Sequence, residues 1–243
     1  MNSLQNLISD SRVFLYGGIQ TLPLTIGGTL LILGLFTANY AILFFLLGFL
    51  MVVPLISKLL NVTLESLLLN FPNVLNQFRV KTSDICKVVV PFTTLQNPVR
   101  GQEEYVIFSS WLAMILFFVG YLFTNAFELF NRDASQILLN VNTSNQSDVE
   151  TKTTTRKSQA MIAMASILFF GLIIIGYRLY SGCENGLGVL ITALLFSYLG
   201  SVWYRLLASV GEDRLSDLFG IANRLLPPSA IENKPIACIP IRT

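Results

Sequence analysis

The 243-residue chain contains no histidine. That absence removes a Ser-His-Asp triad, a histidine-paired cysteine nucleophile, histidine-ligated zinc or haem, and any histidine general base. Charge is also scarce. Asp, Glu, Lys and Arg make up 12% of the residues, about half the share of an ordinary soluble domain, and the net charge is only +2. So small a positive excess does not fit a nucleic-acid module, and a hydrophobic fraction of 53% does not fit a disordered chain. The three cysteines, Cys86, Cys183 and Cys238, form no CxxC pair, so neither a thiolate zinc site nor a dithiol redox motif is supported. They read as isolated thiols, with a Cys86–Cys183 bridge as the alternative if their side of the protein is oxidising. No GxxxxGK[ST] phosphate loop occurs. No catalytic, cofactor-binding or metal-ligating residue is therefore expected, and no cofactor.

The few charges are unevenly placed. Residues 13–57, 105–127, 158–177 and 185–204 contain none, which leaves 108 residues without charge and puts all 30 charges on the other 135. A buried helix of a soluble protein usually keeps a polar face and an apolar run of about 10–14 residues, whereas about 20 apolar residues span the hydrocarbon core of a bilayer. The stretch 162–176, IAMASILFFGLIIIG, is apolar all round a helix. The fold class expected is an all-α integral membrane protein, a bundle of about five transmembrane helices with a polar loop and an amphipathic C-terminal tail.

The 45-residue first window is long enough for two helices, and Thr37, Ala38, Asn39 and Tyr40 supply a break. Residues 13–57 are expected to form a helical hairpin with arms at 15–36 and 41–57, irregular at its start because of Gly17, Gly18, Gln20 and Pro23. A re-entrant hairpin is the competing reading. Single crossings follow at 105–127, 158–177 and 185–204. Tyr16, Tyr40, Tyr105, Tyr177, Tyr180, Trp203 and Tyr204 lie at window ends, where amphipathic rings sit at the headgroup level.

Five crossings put residues 1–12, 58–104 and 178–184 on one face and residues 128–157 and 205–243 on the other. Near the membrane the second face carries Arg132, Lys152, Arg156, Lys157, Arg205 and Arg214, which tilts it towards the cytosol. Glycosylation patterns at Asn142 and Asn145 would be used only if that face were lumenal. The N-terminus lacks the positive charge of a signal peptide, so the hairpin is expected to persist in the mature protein. In the 58–104 segment, LLNVTLESLLLN reads as an amphipathic or interfacial helix stopped near Pro72, KVVVPF at 87–92 as an extended stretch, and QNPVRGQ at 96–102 as a turn. Residues 128–157 read as a flexible polar loop.

Transporters usually carry ionisable residues inside their spans, and the windows contain none. Their polar residues, Gln20, Asn39, Ser109, Ser110, Thr124, Asn125 and Ser197, lie mostly near predicted ends. Gly27, Gly28, Ala160, Ala163, Ser197 and Gly200 are expected to let helices approach closely.

In the tail, Leu207, Val210, Leu215, Leu218, Ile221 and Leu225 recur at helical spacing, interrupted by Gly211 and Gly220 and ended by Pro227 and Pro228. One bent or two short amphipathic helices follow from this, then an extended IACIPIRT. The run from Asp213 to Ala230, DRLSDLFGIANRLLPPSA, with PIACI at 235–239, resembles the tails of multispanning virion membrane proteins of large nucleocytoplasmic DNA viruses of algae and protists. It covers roughly 30 residues. The resemblance implies a virion component that ties an internal membrane to capsid proteins, and it supplies no catalytic residues.

The function expected is that of a noncatalytic structural membrane protein. Its partners would be the lipid bilayer, membrane or capsid proteins held through residues 58–104 and 205–243, and further copies of itself, with no nucleic acid. A small oligomeric channel is the alternative, and a lipid-modifying enzyme without histidine ranks third.

Overall fold

A computed structural model describes residues 17–81, 103–105, 107–131, 146–211, 213–216 and 218. The segments 1–12, 87–92 and 96–102, Cys86, Asn142, Asn145, Cys238 and the tail beyond Leu218 lie outside the described residues.

A helical turn over 17–20 is interrupted at Thr21 and followed by α1, Leu22–Thr37. Thr21 turns its hydroxyl back to the Gly17 carbonyl, and Pro23, which has no N–H to donate, opens the next helix. The chain reverses at the expected break. Ala38 adopts a left-handed conformation (φ 50°) with its N–H turned to the carbonyls of Gly34 and Leu35, and the Asn39 side chain accepts from Ala41 N at 3.0 Å to cap the next helix.

That helix, α2, runs from Tyr40 to Leu68 without stopping at Ser57. Ser57 bonds back to the Pro54 carbonyl and nothing after it breaks the ladder, so the expected interfacial helix is the continuation of the hairpin's second arm. A π turn at Gly48–Val52 precedes Pro54, whose missing N–H leaves the local ladder to rearrange. After Leu68 come the four-residue α3, Pro72–Leu75, and a 3₁₀ turn, Asn76–Phe78. Strand β1, Arg79–Lys81, then pairs antiparallel with β2, Glu103–Tyr105, in the register Arg79↔Tyr105. Tyr105 thus belongs to a ladder and does not open a span, a small β element that the all-α expectation lacked.

Three long helices complete the described chain. Helix α4 is Ser110–Asn131, α5 is Gln146–Tyr180, and α6 is Gly186–Gly211, with the short α7, Asp213–Ser216, after it. The expected polar loop 128–157 is therefore helical at both ends. At about 1.5 Å per residue the 35 residues of α5 measure about 52 Å, well beyond a hydrocarbon core of about 30 Å.

Among the described residues, four helices are long and apolar enough to cross a membrane: Tyr40–Leu68, Ser110–Asn131, Thr154–Tyr180 within α5, and Gly186–Val210 within α6. Helix α1 is apolar but has only 16 residues, about 24 Å. The chain is thus compatible with a multi-pass membrane protein.

Helix α4 is the centre, with α2, α5 and α6 packed around it. Its residues Trp111 to Phe117 are all buried. The rings of Phe45, Phe49, Phe117, Phe118 and Tyr121 form a cluster at centroid distances of 4.8–6.4 Å. Contacts give the helix directions. Along α2 and α4, Phe45 meets Tyr121 while Ser57 meets Ser110, so these two are antiparallel. On α5, Arg178 lies over Trp111 and Lys157 over Phe130, again antiparallel to α4. Helix α6 runs parallel to α4, with Phe196 against Phe108 and Ser201 bonded to Thr124. The bundle therefore has an Arg178 end and a Trp203 end. The outward surfaces of α1, α5 and α6, with Phe36, Phe169, Leu172 and Leu194 among them, are exposed and apolar.

Candidate functional site

Polar chemistry in this bundle is concentrated at its two ends. At the Arg178 end, α5 finishes and the loop Ser181–Asn185 leads into α6. Arg178 Nε and Nη2 donate to the same Glu184 oxygen, Oε1, at 3.2 and 2.6 Å, and both side chains are nearly sealed from solvent at 5% and 2% exposure. The guanidinium carbon lies 4.8 Å from the centre of the Trp111 ring. A planar cation suits this place because one face can rest on the indole while the edge serves the carboxylate.

The same tryptophan reaches back to the start of the chain, where its Nε1 donates to the Gln20 carbonyl at 3.1 Å. Beside it, Asn61 of α2 holds the Phe108 backbone from both sides, Nδ2 donating to the carbonyl at 2.6 Å and Oδ1 accepting from the N–H at 2.9 Å. Ser57 and Ser110 hydroxyls meet at 2.7 Å. Asn185 Nδ2 donates to the Gln77 carbonyl, and Asn185 Oδ1 accepts from Leu187 N to start α6. Cys183 is buried and disulfide-bonded, which corrects the expectation of three isolated thiols. Its two candidate partners, Cys86 and Cys238, are outside the described residues.

At the Trp203 end, the helices are joined by backbone proximity. Trp203 Nε1 donates to the Phe44 carbonyl at 3.3 Å, and the ring packs where Gly48 has no side chain, so that a Cβ there would lie 2.7 Å from the indole. Thr124 Oγ1 donates to Ser201 Oγ at 2.8 Å. The chain after α6 folds back: α7 packs on the first turns of α2, Tyr121 Oη donates to the Ser216 carbonyl at 2.8 Å, and Leu218 is fully buried.

Four of the seven polar residues singled out in the sequence have identifiable work for their side chains. Asn39 caps a helix, Ser109 and Ser110 sit at the start of α4, and Thr124 bonds across to α6. Of the small residues, Gly200 and Gly27 are close-approach sites, whereas a Cβ on Gly28 would meet nothing. Gly120, Asn61 and the Arg178–Glu184 pair were not anticipated. Gly120 lies inside an apolar window four residues before Thr124, a small-xxx-small spacing that would have marked it.

Chemically, these groups fasten helices to one another. Among the described residues, no group of three or more Cys, Asp or Glu side chains is placed to hold a metal ion. In comparisons with known proteins, no family, no curated protein and no solved structure matches this chain.

Proposed function

We propose that the chain is a noncatalytic structural protein of a membrane, crossing it five times and binding neighbours through its ends. The observation that carries this reading is the filled centre of the bundle. Phe45, Phe49, Trp111, Phe117 and Tyr121 are each at most 1% exposed and occupy the space where a single-copy channel would need a polar path. The hydroxyls of Ser57 and Ser110, and of Thr124 and Ser201, bond to one another across helices, which suits a scaffold in lipid.

The fifth crossing is the hairpin's first arm. Gln20 is reached by Trp111 at the end where Ser57 meets Ser110, and Gly34 packs on Ile42 near the opposite end. The helical chain from Gly17 to Thr37 therefore matches the depth of α2 from Tyr40 to Ser57, and this supports a full crossing over a re-entrant one.

The tail resemblance carries the virion version, in which the protein belongs to an internal membrane beneath a capsid. The segments that would hold capsid or membrane partners are residues 219–243, which follow the buried Leu218, and residues 58–104, where Leu59, Val62 and Leu67 of α2 are exposed. The test is crosslinking and quantification in purified particles, paired with reconstitution in liposomes. A fixed copy number, crosslinks from these two segments and no ion flux are expected. Flux above that of protein-free liposomes would transfer the protein to the pore class.

A further inference from the structure

Helix α6 turns a polar group outward at the depth of the hydrocarbon layer. Tyr198 is 68% exposed, and no described residue bonds its hydroxyl. Its depth follows from its neighbour in the chain. Ser197 lies against Gly120 of α4, where a Cβ would stand 2.6 Å from the Ser197 Cα. Gly120 is ten residues past Ser110, the start of α4, and eight before Glu128, its first charge, which is about 15 Å and about 12 Å along the helix. A tyrosine side chain covers less than either distance, so the hydroxyl reaches neither headgroup layer. Tyr40 and Tyr180, by contrast, are exposed at helix ends, where amphipathic rings meet headgroups.

We propose that this outer face of α6 is where a second copy of the chain docks, with Tyr198 at the centre of the contact. The inference rests on the membrane-spanning reading above.

Lipid tails carry no hydrogen-bonding group, so a hydroxyl at this depth is satisfied only by protein. Thr192 of the same helix bends its hydroxyl back to the Gly188 carbonyl at 2.6 Å, and Tyr121 of α4 donates to the Ser216 carbonyl at 2.8 Å. Tyr198 has neither recourse, because its ring holds the oxygen away from the α6 backbone and points it out of the bundle. A second copy inserted in the same direction presents its own Tyr198 at the same level. A phenolic hydroxyl both donates and accepts, so the two satisfy one another across a two-fold axis along the membrane normal. Any other partner would have to bring a polar group to that depth, whereas a copy has one there by symmetry.

The side chains around it suit such a contact. Ile191, Leu194, Tyr198 and Val202 are exposed and follow one another at spacings of three and four residues, the seam of helices that cross at about 20°. Arg205 is exposed on the same face, about 10 Å beyond Tyr198. Two Arg205 guanidiniums repel one another, which confines the contact to the levels below them and lets the paired helices diverge from a crossing at Tyr198.

The test uses the full chain, labelled separately with donor and acceptor fluorophores and reconstituted in phosphatidylcholine liposomes at a series of protein-to-lipid ratios. Flotation with the liposomes is measured on the same samples. Energy transfer that saturates with protein density is expected for the natural chain. Tyr198→Phe should raise the apparent dissociation constant by about 3- to 30-fold through loss of an interhelical hydrogen bond, and Tyr180→Phe should leave it unchanged. With a membrane-permeant bifunctional maleimide, Leu194→Cys should give dimers above the level of the unsubstituted chain, and Leu172→Cys on the outer side of α5 should not. Transfer no greater than random proximity gives, equal association of Tyr198→Phe and the natural chain, or equal crosslinking at 194 and 172 overturns the docking face while flotation leaves the membrane reading standing. A chain that does not float with the liposomes overturns both.

Discussion

Gly120 of α4 lies directly against the backbone of Ser197 of α6, so that a Cβ on residue 120 would stand 2.6 Å from the Ser197 Cα and still closer to its carbonyl. Gly200 repeats the arrangement one turn on, against the Phe117 carbonyl and Tyr121 N. In lipid there is no hydrophobic gain from joining two apolar helices, so contact of this closeness is what holds them. Gly120→Ala forces rigid backbones apart and should cost about 1–3 kcal/mol. Gly28→Ala, whose Cβ would meet nothing, should leave stability unchanged. Thermal unfolding of the purified protein in detergent reads both.

The Arg178–Glu184 pair is a buried ion pair at one end of the bundle. With both side chains sealed, removal of one partner strands a buried charge, so Glu184→Gln should cost about 3–5 kcal/mol. The double variant Arg178→Met with Glu184→Gln should recover part of that loss, because the stranded charge goes with it. A double-mutant cycle on unfolding free energies measures the coupling, and additive losses would show that the pair does not act as a unit.

The Thr124–Ser201 bond should matter much less. Hydrogen bonds between membrane helices average about 0.6 kcal/mol, since the unfolded helices also find partners in the bilayer. Ser201→Ala is expected to change stability by less than about 1 kcal/mol, well below the Gly120 effect.

Leu218 tests how the tail begins. It is fully buried in the main core, and Leu218→Ala should cost about 2–5 kcal/mol, whereas a free docking tail would tolerate the change. The Tyr121→Phe variant, which removes the Tyr121 Oη bond to the Ser216 carbonyl, should weaken the same contact by about 1–3 kcal/mol.

The charge-free windows made the long helices legible, because a helix in hydrocarbon tolerates no ion and the boundary shows as the first one. Boundaries were less legible, since a helix does not end where the apolar run ends. Tyr40–Leu68 passes Lys58 without a break, and α5 begins at Gln146, eleven residues before the last charge, Lys157, that precedes the apolar run. Composition marks the solvent around a helix, whereas its termini depend on caps such as Asn39 and Asn185. The Arg178–Glu184 pair was invisible for a different reason. Two charges six residues apart across a loop look solvated until Trp111, sixty-seven positions earlier, is seen to cover one of them.

The account stands on the hairpin crossing the whole membrane, and labelling at its apex tests that directly. Thr37→Cys would be exposed to a membrane-impermeant maleimide added to each side of sealed vesicles in turn, with labelling counted only where it exceeds that of the unsubstituted chain. Labelling from the side of the α6 C-terminus alone is predicted; labelling from the side of the Cys183 loop, or from neither, would contradict a bundle of five alternating spans.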